Sequence, residues 1–440
     1  MATNDGMGAV REKVTGTMPE KELGNIAADD RSSRTLPTVT EDEIGSRLRR
    51  AHARGNPAWL WPDVDQMRRR AAMQQLASAT HQVLAGGAGE LTGDAAAIGL
   101  AAYVSGMGPL LGWWIDRGLI SAPDAIAATL CEHLRHNSDR AGRLRRACIA
   151  ITAALDSAGI KSIVLKGLHT ESAYFPAPGT RPASDIDLLV ERDKRVAAER
   201  VLWSRGLMPA SRGRFESSWR EGGAATQPAS LYFVHRDDPW TIDLHHSLDI
   251  APAPGAPIAR LDLGQPMQSG CRWADRKAGY TLDQPLLTLH LAVHAGHGLH
   301  NLTLLRLVEL VLVIRNDTAS GRLSWPDFAV LATATDAFGY AYPALAFAEQ
   351  LAPGTIPRHI LSESARAAPR RAVGIVGRLT PATAQRIGRP SLAMHFMWTR
   401  GTGGWARQIA ADLVPHASLR RSLEIYRARG WQLLGGFGRG

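Results

Sequence analysis

Cysteine is nearly absent from this chain. Three occur in 440 residues, at Cys131, Cys148 and Cys271. The set is odd in number, widely spaced and without a CxxC pair, which excludes a disulfide framework and a zinc ribbon. Lysine is scarce as well, six of the 51 basic residues, with arginine making up the rest. No run of about 18 uncharged apolar residues exists, the length a bilayer span requires. The opening MATNDGMGAVREKVTG also holds no apolar segment ahead of a cleavage site. These absences lead us to expect a soluble, unsecreted protein in a reducing cytoplasm.

What is present describes an ordinary globular chain. The hydrophobic fraction is 45% and the charged fraction 21%, so wholesale disorder is excluded. At roughly 150 residues per domain the length predicts two or three domains. The net charge of +10 bears first on solubility and non-specific binding. An arginine-for-lysine bias beside abundant alanine and glycine is as readily an effect of base composition, so charge alone does not support a nucleic-acid partner.

Along the chain the pattern changes character several times. Residues 1–45 are polar, of mixed charge and without a sustained apolar period, and are expected to be a flexible leader. Residues 46–150 read as a helical region: MRRRAAMQQLASATHQVLAG is a helix closed by Gly86 and Gly87, and Leu130, Leu134, Leu144, Cys148, Ile151 and Leu155 continue a helical period that stops at Gly159. Residues 151–250 change to strand signals. KSIVLKG and SDIDLLVE are short strands, joined by a helix-then-loop connection with two prolines and Gly179. KRVAAERVLWSRG is a helix, and SLYFVHRDDPWTIDLHHSL reads as a hairpin across Asp237, Asp238 and Pro239. Residues 251–430 return to helices, among them LLTLHLAVHAGHG, LTLLRLVELVLVIRN, WPDFAVLATATDAFG and AYPALAFAEQL. Residues 431–440 form a short glycine-rich tail. The fold class expected is α/β (α+β), a small mixed-sheet core between helical additions.

The sharpest chemical signal is Ser184-Asp185-Ile186-Asp187-Leu188. Residues i and i+2 of a strand share a face, so Asp185 and Asp187 present two carboxylates side by side while Ile186 and Leu188 enter the core. Two such charges repel unless a cation lies between them, and Mg²⁺ is commonly held by one or two carboxylates plus substrate phosphates. In Thr241-Ile242-Asp243-Leu244-His245 the same alternation offers Asp243 and His245. A solvated strand face is the plain alternative for an isolated pair of aspartates. Against it stands the upstream strand ending in Lys166-Gly167 before a helix, where glycine admits a phosphate to the backbone and lysine adds a charge.

The run from Asn137 through RLRRACIAITAALDSAGIKSIVLKGLHTESAYFPAPGTRPASDIDLLVERD resembles the uncharacterised nucleotidyltransferase family of the polymerase-beta superfamily. A helix leads to an LKG strand, a Tyr-Pro-rich loop, an arginine and a DIDLLV strand, and TIDLHHSL is similar to a later strand of that family. The likeness spans roughly residues 130–426. It implies a minimal nucleotidyltransferase core in which Asp185, Asp187 and Asp243 are catalytic and hold Mg²⁺ or Mn²⁺. It implies that Lys166, Gly167, Arg181 and Ser184 bind the nucleotide, with Arg181 on phosphate, and leaves His245 as an acid or base. The implied reaction moves a nucleoside monophosphate from an NTP such as ATP to a hydroxyl or phosphate acceptor, with a peptide, a protein or a secondary metabolite among the candidates. Two departures stand out. Gly167 is followed by Leu168 where the superfamily has a serine, and Glu309 replaces the aspartate usual in its helix. The alternative reading is a catalytically inactive accessory or binding protein that keeps the fold.

Other features receive plainer readings. His290, His294, His297 and His300 share a histidine-rich helix but lack an HExxH arrangement, so packing or lining a cleft is expected in preference to zinc binding. GGAGELTG lacks the GK[ST] close of a phosphate loop. Trp59, Trp61, Trp113 and Trp114 are expected as core or interface anchors.

Overall fold

The computed structural model describes residues 39–54, 56–253, 255–273, 279–299, 302–384, 394 and 396–413. All of these belong to one compact unit. The first helix, α1 (Glu41–Arg54), begins inside the stretch expected to be a leader. Thr40 explains the difference, because its hydroxyl accepts the Glu43 N–H at 3.3 Å and the first turn is acidic, as a helix N-terminus favours. Residues 1–38 and the tail 431–440 lie outside the described residues.

The helices α2 (Gln66–Leu84), α3 (Ala95–Ser105), α4 (Gly108–Asp116) and α5 (Asp124–Ser157) follow. Two-residue strands β1 (Gly89–Glu90) and β2 (Ile120–Ser121) pair beside them. Asp65 and Asp94 cap α2 and α3 through their side chains. The glycines expected to close α2 and α5 do so, with Gly86 and Gly159 at φ +82° and +71°.

The α/β core comprises β3 (Ser162–Val164), α6 (Leu168–Tyr174), β4 (Asp185–Val190), α7 (Arg195–Ser204), β5 (Leu207–Arg212), β6 (Glu216–Glu221) and β7 (Thr241–His245). With β8 (Cys271–Arg272) and β9 (Tyr280–Thr281) these strands form a seven-stranded mixed sheet in the order β5-β6-β7-β4-β3-β9-β8. Strands β3 and β4 are antiparallel, and β4 and β7 parallel. After a short helical turn α8 (Pro266–Ser269) come α9 (Leu286–Gly296), α10 (Leu304–Ala319), α11 (Trp325–Ala334) and α12 (Phe338–Leu351). These match the helices expected from the apolar pattern.

The expected hairpin across Asp237-Asp238-Pro239 is corrected. Residues 231–240 form no strand, and the antiparallel partner of β7 is β6. The Asp238 carboxylate accepts main-chain N–H groups of Ala229 at 2.7 Å and His235 at 2.8 Å, which closes the segment on itself and withdraws it from a ladder. The hairpin actually present is β5 with β6, turned at Gly213, whose N–H meets Glu216 O at 2.8 Å.

Buried apolar residues fall into two clusters. The larger joins the N-terminal helices to the C-terminal ones, and the smaller lies between α5, α7 and the sheet, around Leu144, Cys148, Ile186, Leu188, Ile242 and Leu244. Trp61 and Trp114 are core anchors as expected, whereas Trp59 is exposed. Among the described residues no single helix is long and apolar enough to cross a membrane.

The crossing of α4 on α5 depends on two small residues, Gly108 against the His133 ring and Gly112 against Leu130. A Cβ on Gly112 would lie 2.3 Å from the Leu130 carbonyl oxygen, whereas a Cβ on Gly142 of α5 meets only the end of the Arg146 side chain, at 3.6 Å. Gly112→Ala is therefore expected to lower stability by at least about 1–3 kcal/mol through overpacking. Gly142→Ala should raise it by roughly 0.5–1 kcal/mol through helix propensity. Urea unfolding of both variants reads the two signs, and a neutral Gly112→Ala would contradict the close crossing.

Candidate active site

Strand β4 behaves as its alternation predicts: Ile186 and Leu188 are buried in the core, and Asp185 and Asp187 share the other face. The parallel register sets Asp187 opposite Asp243 and Asp185 opposite Thr241, with Ile186 beside Ile242 beneath them. One carboxylate oxygen from each of Asp185, Asp187 and Asp243 falls within 4.8 Å of the others. Among the described residues this is the one cluster of three or more potential metal ligands found.

The electrostatics of the three carboxylates differ. Asp187 is 4% exposed. Burial pushes its carboxyl up, but Lys166 and then His245 outweigh that effect and hold it well below the usual carboxylate range. Lys166 Nζ lies 2.5 Å from Asp187 Oδ2. Burial alone would lower the Lys166 pKa, yet Asp187 and Asp185 raise it above the ordinary lysine value. Asp243 moves the other way. Burial raises its pKa first, against a hydrogen bond from Ser218, and the charges of Asp185 and Asp187 add to the rise. Its Oδ1 is buried without a hydrogen-bond partner. An unpartnered buried oxygen facing two further carboxylates is a donor set suited to a hard divalent cation.

His245 stands beside the cluster as the alternation of β7 requires. Its Nε2 is 3.3 Å from Asp187 Oδ1 and its Nδ1 3.3 Å from Glu216 Oε2. Gly167 follows Lys166 at φ +66°, a conformation that favours glycine, and Arg181 Nη1 would lie 3.5 Å from a Cβ built there. Arg181 is thus drawn to the Lys166-Gly167 turn. Its guanidinium is held in a fork by Glu309, Nε to Oε1 at 2.8 Å and Nη2 to Oε2 at 2.9 Å, while Nη1 donates to Pro182 O at 3.1 Å. Glu309 also accepts the Thr170 hydroxyl. Leu168 is 2% exposed and packs in the smaller core cluster, so its side chain offers nothing to an anion at the turn.

A cavity of about 400 Å³ opens next to Asp185. Lys166, Arg181, Ser184, Arg140 and Arg306 contribute to its polar wall, and Tyr103, Val104, Val234, Leu291 and Leu305 to its apolar one. Asp187, Asp243 and His245 do not line it, so the carboxylate cluster sits at its edge. Two cations of this wall, Arg140 and Arg306, were not anticipated. For Arg140 a signal existed: the apolar stripe of α5 breaks between Leu130 and Leu144, where His133, His136, Asn137 and Arg140 are buried instead. For Arg306 we find none, since an arginine in an otherwise apolar helix reads simply as an exposed break.

The histidine-rich helix has the plain role expected. His294 lines the cavity and is held well below the usual histidine range by burial, with Lys166 and Arg306 contributing. His290 is 4% exposed, has neither ring nitrogen hydrogen-bonded, and is pushed down to about 3 by burial. His297 Nδ1 approaches Val293 O at 3.0 Å, and His300 lies outside the described residues.

No curated protein and no solved structure matches this sequence. A family model described as uncharacterised nucleotidyltransferase matches residues 107–353, more than half the chain, and takes in β3, β4, β7, helices α4 to α12 and the cavity lining except Tyr103, Val104 and Gly106. With that match and the mixed sheet in hand, the chain belongs to the uncharacterised nucleotidyltransferase family.

Proposed function

We propose that this protein is a metal-dependent nucleotidyltransferase that moves a nucleoside monophosphate from an NTP to a hydroxyl or phosphate acceptor. The observation that carries the reading is the convergence of Asp185, Asp187 and Asp243 within 4.8 Å on register-matched strands, beside a cavity whose lining includes Lys166, Arg140, Arg181 and Arg306 along with Asp238 and Glu309. Mg²⁺ or Mn²⁺ bound by these three residues would polarise the reacting phosphoryl group and offset its charge. The acceptor oxygen attacks the α-phosphorus and pyrophosphate leaves with the electron pair of the broken bond. Asp243, the carboxylate whose proton affinity is raised, orients the acceptor. Lys166, beside the glycine turn, supplies charge to the phosphates, and Arg181, fixed by Glu309, adds positive potential there. Ser184 borders the same space. His245, between Asp187 and Glu216, is the residue placed to take a proton. A peptide, protein or secondary-metabolite acceptor fits this chemistry equally, and a reducing cytoplasm suits the three free thiols.

Two observations favour a second reading, a fold retained for binding without turnover. Leu168 is buried where the superfamily has a hydroxyl, and Lys166 already occupies Asp187. Incubation with each α-³²P-labelled NTP and Mg²⁺ or Mn²⁺, with and without cell extract, separates the two. Label transferred by the wild type and lost in Asp185→Ala/Asp187→Ala is the expected result, and the labelled species names the acceptor class. Absence of transfer together with absence of metal-dependent nucleotide binding by calorimetry would leave the second reading.

A further inference from the structure

A buried guanidinium is costly unless its donors are satisfied. Arg140 of α5, 2% exposed, directs its donors at main-chain carbonyls. Nε donates to Ala183 O at 3.2 Å, Nη2 to Pro239 O at 2.9 Å and more distantly to Ser184 O at 3.4 Å, and Nη1 to Asp238 O. These four carbonyls belong to two segments far apart in sequence. Ala183 and Ser184 lead directly into β4, and Asp238 and Pro239 lead into β7. Those are the neighbouring parallel strands that carry Asp185 and Asp187 on one side and Asp243 on the other.

The guanidinium is planar, with donors in a fixed fork, so it spans two chains at a set separation in a way that an ammonium cannot. Further bonds stiffen the same junction. Arg143 Nη2 donates to Asp238 O at 2.9 Å, and the Arg236 N–H reaches His136 Nδ1 at 3.2 Å. Both partners are on α5, and Asp139 of the same helix pairs with Arg236 at 3.0 Å, so the helix grips the loop before β7 through four residues.

We infer that Arg140 is a positioning residue for the metal-binding carboxylates: it fixes the spacing between the starts of β4 and β7, so that Asp185, Asp187 and Asp243 converge on one ion. This rests on the metal centre proposed above. Arg140 acts through the backbone of the two strands and makes no hydrogen bond to the carboxylates themselves.

The test is Mn²⁺ binding to the full-length protein without nucleotide, followed by electron paramagnetic resonance and calorimetry. Arg140→Lys keeps a positive charge but cannot bridge both strands, and is expected to weaken Mn²⁺ binding about 10- to 100-fold, as loss of a supporting partner commonly does. Arg140→Met should weaken it at least as much, and where that variant does not fold, Arg140→Lys decides. The control is Arg47, also buried, which holds Glu43, Asp63 and Tyr232. Arg47→Lys should lower the melting temperature while leaving Mn²⁺ affinity within about twofold, as expected for a site that shares no partners with the carboxylates. A cooperatively folded Arg140→Lys that binds Mn²⁺ like the wild type overturns the inference, even with a lowered melting temperature. Wild-type affinity in Asp185→Asn overturns the metal centre, and the inference with it.

Discussion

Asp185→Asn is expected to lower nucleotide transfer by about a thousandfold, the several kcal/mol that a metal's charge stabilisation contributes to such a step, while the metal-free protein still folds cooperatively. The choice of residue matters. Among the described residues no hydrogen bond or ion pair to the Asp185 carboxylate is found, so its loss removes a proposed metal ligand and some repulsion, together with part of the negative charge that favours the charged forms of Lys166, Arg140, Arg181 and Arg306. Asp187→Asn is a poorer probe, because it strips Lys166 of the partner at 2.5 Å and leaves that ammonium, on a side chain only 13% exposed, with a weaker counter-charge. In thermal unfolding the wild type should gain stability on addition of Mg²⁺ or Mn²⁺, by mass action on the folded state, and Asp185→Asn should not. A metal-induced stabilisation that survives in Asp185→Asn would place the ion elsewhere.

Glu309→Ala is expected to cost about 3–5 kcal/mol of stability, because it leaves the Arg181 guanidinium buried and uncompensated. The side chains of the pair are 9% and 4% exposed, so water does not replace the lost carboxylate. Burial opposes the charge on Arg181, and Glu309 is the largest influence sustaining it. The double variant Arg181→Met/Glu309→Leu should recover most of the loss, since the apolar pair needs no solvation. The Thr170 hydroxyl, which loses Glu309 as an acceptor, keeps the Gly167 carbonyl at 3.1 Å and so adds little to any residual deficit. Urea midpoints of the single and double variants decide this. A single variant as stable as the wild type would show that Arg181 finds water or another partner.

These two residues also mark where sequence reasoning succeeds and where it stops. The two strands that build the carboxylate cluster are legible because period-two alternation is a local property: Ile186 and Leu188, like Ile242 and Leu244, declare a core face, which assigns the aspartates to the other. The pairing of Arg181 with Glu309 spans 128 residues, and no local pattern encodes it. Resemblance pointed Arg181 at phosphate, whereas the fold gives it a protein carboxylate first. The β5–β6 hairpin went unread because only Leu207 of β5 is buried and Pro209, Ala210, Ser211 and Arg212 are exposed, which leaves no alternation to see. Conversely, SLYFVHR has strand composition, yet Leu231 and Tyr232 are buried by a loop that Asp238 and Arg140 tie down. Hydrogen bonds to main-chain carbonyls carry no signature in the residues that supply them.

The alignment of β4 with β7 has a consequence for how the chain reaches its folded form. Because successive strand residues face opposite ways, sliding β7 by one position would turn Asp243 away and expose Ile242 and Leu244. The native alignment sets Asp243 directly opposite Asp187 and brings three oxygens together on one side, which a one-residue slip does not. A divalent ion held there would therefore act as a proofreader of strand pairing: it would lower the free energy of the correctly aligned sheet and give nothing to one slipped by a residue, so the atoms proposed to serve chemistry would also audit assembly.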